Sequence, residues 1–311
     1  AYALTDQDFT ALAKTYGKVG GVDRMATLIK AIRAERPDNT LVLDGGDTWQ
    51  GSYTSLKSSG ADMVAVQNAL GLDAMTAHWE FTYGTDRVKE LQEMLEFPFL
   101  CSNVRDTEWE EDVFEAISYF ERGGIKVAVI GQAFPYTPIA NPRYMMPNWS
   151  FGINEDNMKK RVADAQAAGA DLIVLLSHNG FDVDRKLATV VSGIDVILTG
   201  HTHDAVPRAI EVGSTLVLSS GSHGKYLGRI DLEVSGGKVT GYSSNLIPVF
   251  ADVITPDPEM KALIDEVRAP YEAEATRVIG KTEQLLYRRG NFNGTWDDLI
   301  CQGIIAERDV Q

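Results

Sequence analysis

Cysteine and positive charge are both scarce in this chain of 311 residues. Its two cysteines, Cys101 and Cys301, cannot build a disulfide framework, and both read as small core hydrophobes. Lys and Arg number 29 against 44 Asp and Glu, a formal net charge of −15. Nucleic acid and anionic membranes repel such a surface, which argues against either as a main partner. No run approaches the ~20 apolar residues that span a bilayer, and the first residues lack the basic-then-apolar pattern of an export signal. Repeats and low-complexity tracts are missing too. What is present is ordinary globular material: a hydrophobic fraction of 44% supplies a sizeable core. The length suits about two domains.

The first half alternates helical and strand patterns. Val22, Met25, Ala26, Ile29 and Ile32 recur at helical spacing after Gly20-Gly21, and Pro37 stops them. Thr40 to Leu43 reads as a buried strand ending in the loop Asp44-Gly45-Gly46-Asp47. A helix near Ala61 to Leu70 leads to the short segment Asp73 to Ala77, and Phe97 to Cys101 reads as a further strand. Continuous apolar runs at Ile125 to Ile130, Asp171 to Leu176 and Ile194 to Leu198 predict fully buried strands. Helices near Asn154 to Ala168 and Val183 to Val191 separate them, which makes an α/β layered domain. Leu216 to Leu218, Tyr226 to Val234 and Lys238 to Val249 then read as successive antiparallel strands, with a hairpin turn at Ser235-Gly236-Gly237. Pro256 and Pro258 precede a polar helix, roughly Glu259 to Arg277.

The histidines carry the chemical signal. His78, His178, His201 and His203, four of the five, fall just past the carboxyl end of an expected strand. Ligands bind at that edge in open α/β sheets. Asp47 sits in the same kind of place. One histidine there is ordinary packing; four beside an acidic loop predict a metal site. Imidazole and carboxylate suit manganese, zinc or iron. In Gly200-His201-Thr202-His203 the rings can diverge toward two ions while the Asp47 carboxylate bridges them. Two such ions activate water and stabilise a displaced group.

Gly46-Asp47, His78-Trp79-Glu80-Phe81, Ser177-His178-Asn179-Gly180 and Gly200-His201-Thr202-His203 resemble, in order and spacing, the motifs of the calcineurin-like metallophosphoesterases in their 5′-nucleotidase branch. The match runs from about Gly17 to Phe250. It implies a four-layer α/β/β/α sandwich carrying a dinuclear centre, in which Asp47 bridges, His178 and His201 bind the second ion, and His203 binds the first. The family's third motif reads Gly-Asn-His-Glu-Phe-Asp, its Asn a metal ligand and its His and Asp a catalytic pair. Here His78 falls on the Asn, while Trp79 and Thr82 fall on the pair and cannot act as that acid. No catalytic side chain beyond metal-activated water is therefore assigned.

Longer stretches resemble the thiosulfohydrolases of bacterial sulfur oxidation, the SoxB type. They are Tyr16 to Gly21, Asp44 to Ser52, His78 to Gly84, Gly221 to Gly228 and Tyr287 to Thr295. That resemblance implies a periplasmic enzyme with two Mn²⁺ ions, zinc or iron being possible alternatives. Its activity would be hydrolysis of the terminal sulfonate, as sulfate, from a cysteine-S-thiosulfonate on the SoxYZ carrier. A persulfide is a stable leaving anion, so loss of the acid pair is tolerable. Two other readings stand beside this one: a nucleotidase-type phosphohydrolase, disfavoured by Trp79 and Thr82, and a non-catalytic carrier-binding module, disfavoured by the retained ligands.

The family's Asp-x-His motif should precede Gly17, yet residues 1–16 hold no histidine, and Asp6 and Asp8 do not match it. The chain therefore reads as an internal fragment. Its expected parts are a catalytic domain at 1–250, a linker helix at 251–279, and the start of a truncated C-terminal domain at 280–311. The set Asp47, His78, His178 and His201 is complete for the second ion; the first keeps Asp47 and His203. Weak first-ion binding and weak activity of this chain alone follow. His223, Trp79, Arg288 and Arg289 are candidate substrate contacts, the arginines because guanidinium suits sulfonate oxygens. Asn103 reads as a turn residue, and Asp44 as the cap of its own loop.

Overall fold

In the computed structural model of the chain, the described residues are 11, 14–284, 286, 288 and 294–308. Gly20 and Gly21 open helix α1 (Val22–Glu35), which buries Ala26 and Ile29. Strand β1 (Leu43–Asp44) pairs in parallel with β2 (Ala74–Met75), Leu43 opposite Ala74. The ladder is shorter than the apolar run at Thr40 to Leu43 suggests. At Val42 the Asp73 carboxylate takes over, accepting the Val42 N–H at 2.8 Å. Helices α2 (Tyr53–Ser58) and α3 (Ala61–Leu70) join these strands, and a 3₁₀ turn (Trp79–Tyr83) leads into α4 (Thr85–Glu93). Residues 97–101 extend this layer through bridges Met75 to Phe99 and Leu100 to Glu115 rather than as a full strand.

The remaining strands are β3 (Arg105–Asp106), β4 (Ile117–Arg122), β5 (Ile125–Gln132), β6 (Trp149–Ser150), β7 (Leu172–Ser177), β8 (Val196–Thr199), β9 (Ile210–Val212), β10 (Thr215–Ser219), β11 (Tyr226–Ser235) and β12 (Lys238–Pro248). Between them lie α5 (Thr137–Ala140), α6 (Glu155–Ala167) and α7 (Phe181–Val190); α8 (Pro258–Arg268), α9 (Glu272–Ala275) and α10 (Thr295–Arg308) follow. The main sheet runs β4-β5-β7-β8-β10-β9, parallel at its centre with antiparallel edges.

Alternation along the strands sets the layers. Ala128, Ile130, Ile173 and Leu175 face α6 and α7, whereas Val127, Val129, Leu172, Val174 and Leu176 pack toward Leu43, Ala74 and the β11–β12 hairpin. On the far side of β2, Met75 and Ala77 share a cluster with Val64, Phe81, Val88 and Leu91. The result is the expected four-layer α/β/β/α sandwich.

Three expectations are corrected. β10 does not lead an antiparallel series; it pairs in parallel with β8 and antiparallel with β9, and β11 pairs with β12. The helix expected from Glu259 to Arg277 breaks after Arg268 and resumes at Glu272. Its first half seats Met260 against Ala26 and Val66, so it docks on the sandwich. Cys101 is buried, but Cys301 is exposed, because α10 buries none of its residues.

Candidate metal centre

Four parallel strands each deliver a ligand past their carboxyl ends. Asp47 follows β1, His78 follows β2, His178 follows β7, and His201 follows β8. Two sheets packed face to face bring these loops together. One ligand atom from each of Asp47, His78, His178 and His201 lies within 4.8 Å of all the others. Among the described residues this is the one such group of three or more His, Cys, Asp or Glu. The imidazole centroids of His78, His178 and His201 are 5.0–5.5 Å apart.

The loops fold this way for local reasons. Asp44 accepts from the Gly46 N–H at 3.0 Å, from the Thr48 hydroxyl and from Gln67 Nε2 at 2.7 Å, which makes it the loop cap its sequence suggests. Gly46 has φ 91°, and a Cβ there would lie 2.9 Å from the Thr76 carbonyl oxygen. Gly200 lies equally close to His178: a Cβ would meet Nδ1 at 2.9 Å. Asp47 (φ 66°), His201 (75°), His203 (60°) and His223 (58°) are left-handed. Seven non-glycine residues among those described are left-handed. That four of them cluster here is the strain pattern of functional sites.

The ligand atoms face one another in ways that call for a cation. Asp47 Oδ2 is 3.0 Å from His178 Nε2, and Asp47 Oδ1 is 3.1 Å from His78 Nδ1. The other nitrogen of His178, Nδ1, is 2.5 Å from the Gly45 carbonyl, so it carries the proton and turns Nε2 inward. His78 is buried, yet neither ring nitrogen makes a hydrogen bond of good geometry. Orphaned buried nitrogens of this kind are costly. A divalent ion satisfies them, and three imidazoles with one carboxylate are a fitting donor set.

The electrostatics follow from burial. His78 is pushed down by burial, against the pull of Asp47. His201 is pushed down to about 4 by burial and by the neighbouring His178 and His78. For Asp47 burial acts upward, but the neighbouring imidazoles of His178 and His78 outweigh it and hold the carboxyl well below the usual range. His178 moves up: burial lowers it, and Asp47 more than compensates. Glu80 is pushed up to about 7 by burial and by the charge of Asp47.

Glu80 is a residue whose role the sequence did not disclose. Its buried carboxylate accepts the backbone N–H of His78 (2.6 Å), Thr48 (2.6 Å) and Asp47 (3.2 Å). It therefore ties the Asp47 loop to the His78 loop. Phe134 is another, stacked on His201 at 4.0 Å and tilted against His78 at 4.1 Å. Its position just past the end of β5 is the signal that marked the histidines.

The other candidates divide. Trp79 stacks on His78 at 4.5 Å and donates its backbone N–H to Asp47 Oδ1 at 2.9 Å. His203 stands outside the four-residue group and meets His223 edge-on at 5.3 Å; both are exposed. Arg288 is exposed and bonded to Asp297 at 2.9 Å, and the structure does not bring it into the cluster. Arg289 lies outside the described residues, as do Asp6 and Asp8. The Asn103 side chain bonds the backbone of Ala133 and Gly152, 30 and 49 residues away, so it ties two distant loops together rather than bracing its own turn.

No family model matches the chain. Among curated proteins it is 27% identical to the 5′-nucleotidase of Rattus norvegicus over 97% of its own length and 57% of that protein. It is 29% identical to the snake venom 5′-nucleotidase of Naja atra over 92% and 59%. The chain thus spans a little over half the length of these relatives. Among solved structures, the sulfate thiohydrolase SoxB of Thermus thermophilus, in complex with glycerol, superposes with a TM-score of 0.92 at 36% identity, covering 98% of this chain and 57% of that one. A 5′-nucleotidase precursor, also from Thermus thermophilus, gives 0.83 at 24%, covering 94% and 62%. The sandwich, the ligand edge and these similarities together support a hydrolase of the 5′-nucleotidase-type metallophosphoesterases.

Proposed function

We propose that this chain carries the metal centre of a hydrolase of sulfur oxidation. The substrate would be a cysteine-S-thiosulfonate on a SoxYZ-type carrier, from which the terminal sulfonate leaves as sulfate. Asp47, His78, His178 and His201 would hold one divalent ion, and Asp47 with His203 would contribute to a second. Manganese fits these donors, as zinc and iron do. Such ions supply a Lewis acid and a nucleophilic water at neutral pH. The proposal extends to a periplasmic setting, where a secreted carrier would be met; no described helix is long and apolar enough to cross a membrane.

One observation carries the reading. The rings packed against the ligand imidazoles are those of Trp79 and Phe134, and neither can donate a proton to a leaving group. By the motif resemblance, Trp79 falls where the family's nucleotidases keep their acid. A persulfide leaves as a stable anion without such help; a nucleoside alkoxide does not. Greater identity to the thiohydrolase structure than to the nucleotidase structure, 36% against 24%, supports the same choice. Trp79 and His223 would bound the substrate arm, and Arg288 and Arg289 remain candidates for its anionic end.

The second reading, a nucleotidase-type phosphohydrolase, is favoured by the curated relatives over 92–97% of the chain. One assay separates them. The manganese-loaded protein is offered a cysteine-S-thiosulfonate carrier peptide and, separately, a nucleoside monophosphate. Sulfate release without phosphate release is expected; phosphate without sulfate overturns the proposal.

A further inference from the structure

Phe134 is a buried phenylalanine, 8% exposed, yet it belongs to none of the four apolar clusters of the core among the described residues. Its ring neighbours are the metal-site imidazoles instead. It stacks on His201 at 4.0 Å with an interplanar angle of 27°, tilts against His78 at 4.1 Å, and meets His178 edge-on at 6.4 Å. Trp79 stacks on His78 at 4.5 Å. Tyr136 edges against Phe134 at 5.9 Å.

The backbone under this ring is fixed on both sides. The Phe134 N–H donates to the carbonyl of Ala77, the residue before His78, at 3.0 Å. The Phe134 carbonyl accepts the Thr137 hydroxyl at 2.7 Å. Ala133 exchanges two hydrogen bonds with the buried Asn103 side chain, both 2.8 Å. A ring so anchored has its position set before any ion arrives.

We propose that Phe134 is a positioning residue of the metal centre, clamping the imidazoles of His78 and His201 and closing one side of the cluster to water. The inference rests on the metal-hydrolase reading and adds a residue to it. Two effects follow. His201, on an exposed-edge loop, has its ring held in plane by stacking, so less rotamer freedom is lost when an ion binds. An apolar wall beside the donors also keeps the local dielectric low, which strengthens ion binding and limits the number of waters an ion retains.

The test uses Mn²⁺ as probe with the wild-type protein, F134A and F134L. Calorimetry reads the dissociation constant, and water-proton relaxation per bound Mn²⁺ reads how many waters exchange on the ion. F134A is expected to bind about 10–100-fold more weakly and to raise the relaxation per ion; F134L, which keeps apolar volume without a flat face, falls between. V88A, a core change in the cluster of Phe81 and Leu91, controls for lost stability. Folded F134A with wild-type affinity and relaxation overturns the inference, as does an affinity loss that V88A reproduces at matched melting temperature. Where F134A fails to fold, F134L decides by the same readings. A wild-type protein that binds no Mn²⁺ overturns the metal reading itself, and this inference with it.

Discussion

The two ends of the metal centre are held by different means. At the Asp47–His78–His178–His201 end the rings of His78 and His178 are nearly sealed from solvent, 1% and 2% exposed, and are held from behind. Glu80 binds both ligand loops, Gly45 orients His178, and Phe134 faces the rings. At the His203–His223 end both residues are exposed on left-handed backbone. The buried end is preorganised by groups that never touch an ion. The rings of His203 and His223 are open to solvent instead.

The largest test of that contrast is removal of one ligand from each end. H78A is expected to weaken binding of the tighter Mn²⁺ ion by roughly 100-fold or more, beyond what loss of an outer partner does, while H203A leaves it within a few-fold. Metal content after dialysis reads both, and equal losses would mean that the two ends form a single cooperative site.

Next comes the brace. E80Q keeps the shape of Glu80 but turns an amide donor toward backbone N–H groups that need an acceptor. About 10–100-fold weaker binding is expected, with faster hydrogen exchange at Thr48 and His78. Unchanged exchange at those two amides would remove Glu80 from the account; E80D offers a charged variant if E80Q is poorly folded.

A last test, of stability rather than binding, concerns the floor beneath His178. Asp184 is buried and accepts from Ser177 Oγ and Asn179 Nδ2, both at 2.9 Å. Burial pushes its pKa up to about 6 from 3.8. Between those values the folded protein holds a proton that the unfolded chain has released, so stability falls as pH rises across that window. The loss is at most about 3 kcal/mol. In D184N that slope should flatten, as denaturant melts at pH 4 and pH 7 would reveal; a slope identical to wild type would show that Asp184 is already ionised throughout.

Much of the site was legible beforehand because its logic is local. A residue past the carboxyl end of a buried parallel strand must face the sheet edge, so Asp47, His78, His178 and His201 could be placed from periodicity alone. The roles of Glu80 and Phe134 could not. Nothing in a single sequence says that a carboxylate will turn inward to collect amides from a loop some 30 residues earlier, or that a phenylalanine will leave the core to lie on two imidazoles. The same limit explains the fold errors. β10 has the composition of any buried strand, and whether its neighbour is β8 or β11 is a pairing decision.

The sequence by itself determined the alternation of helix and strand and the metal-donor chemistry. These are properties of residue type and short-range spacing. Tertiary structure alone decided which donors come within reach of one another, that His203 meets His223 rather than joining them, and which neighbours hold the rings. Those depend on two sheets meeting face to face, a contact between residues more than a hundred positions apart. Asp47 and His178, 3.0 Å apart in space and 131 residues apart in the chain, show that dependence most directly.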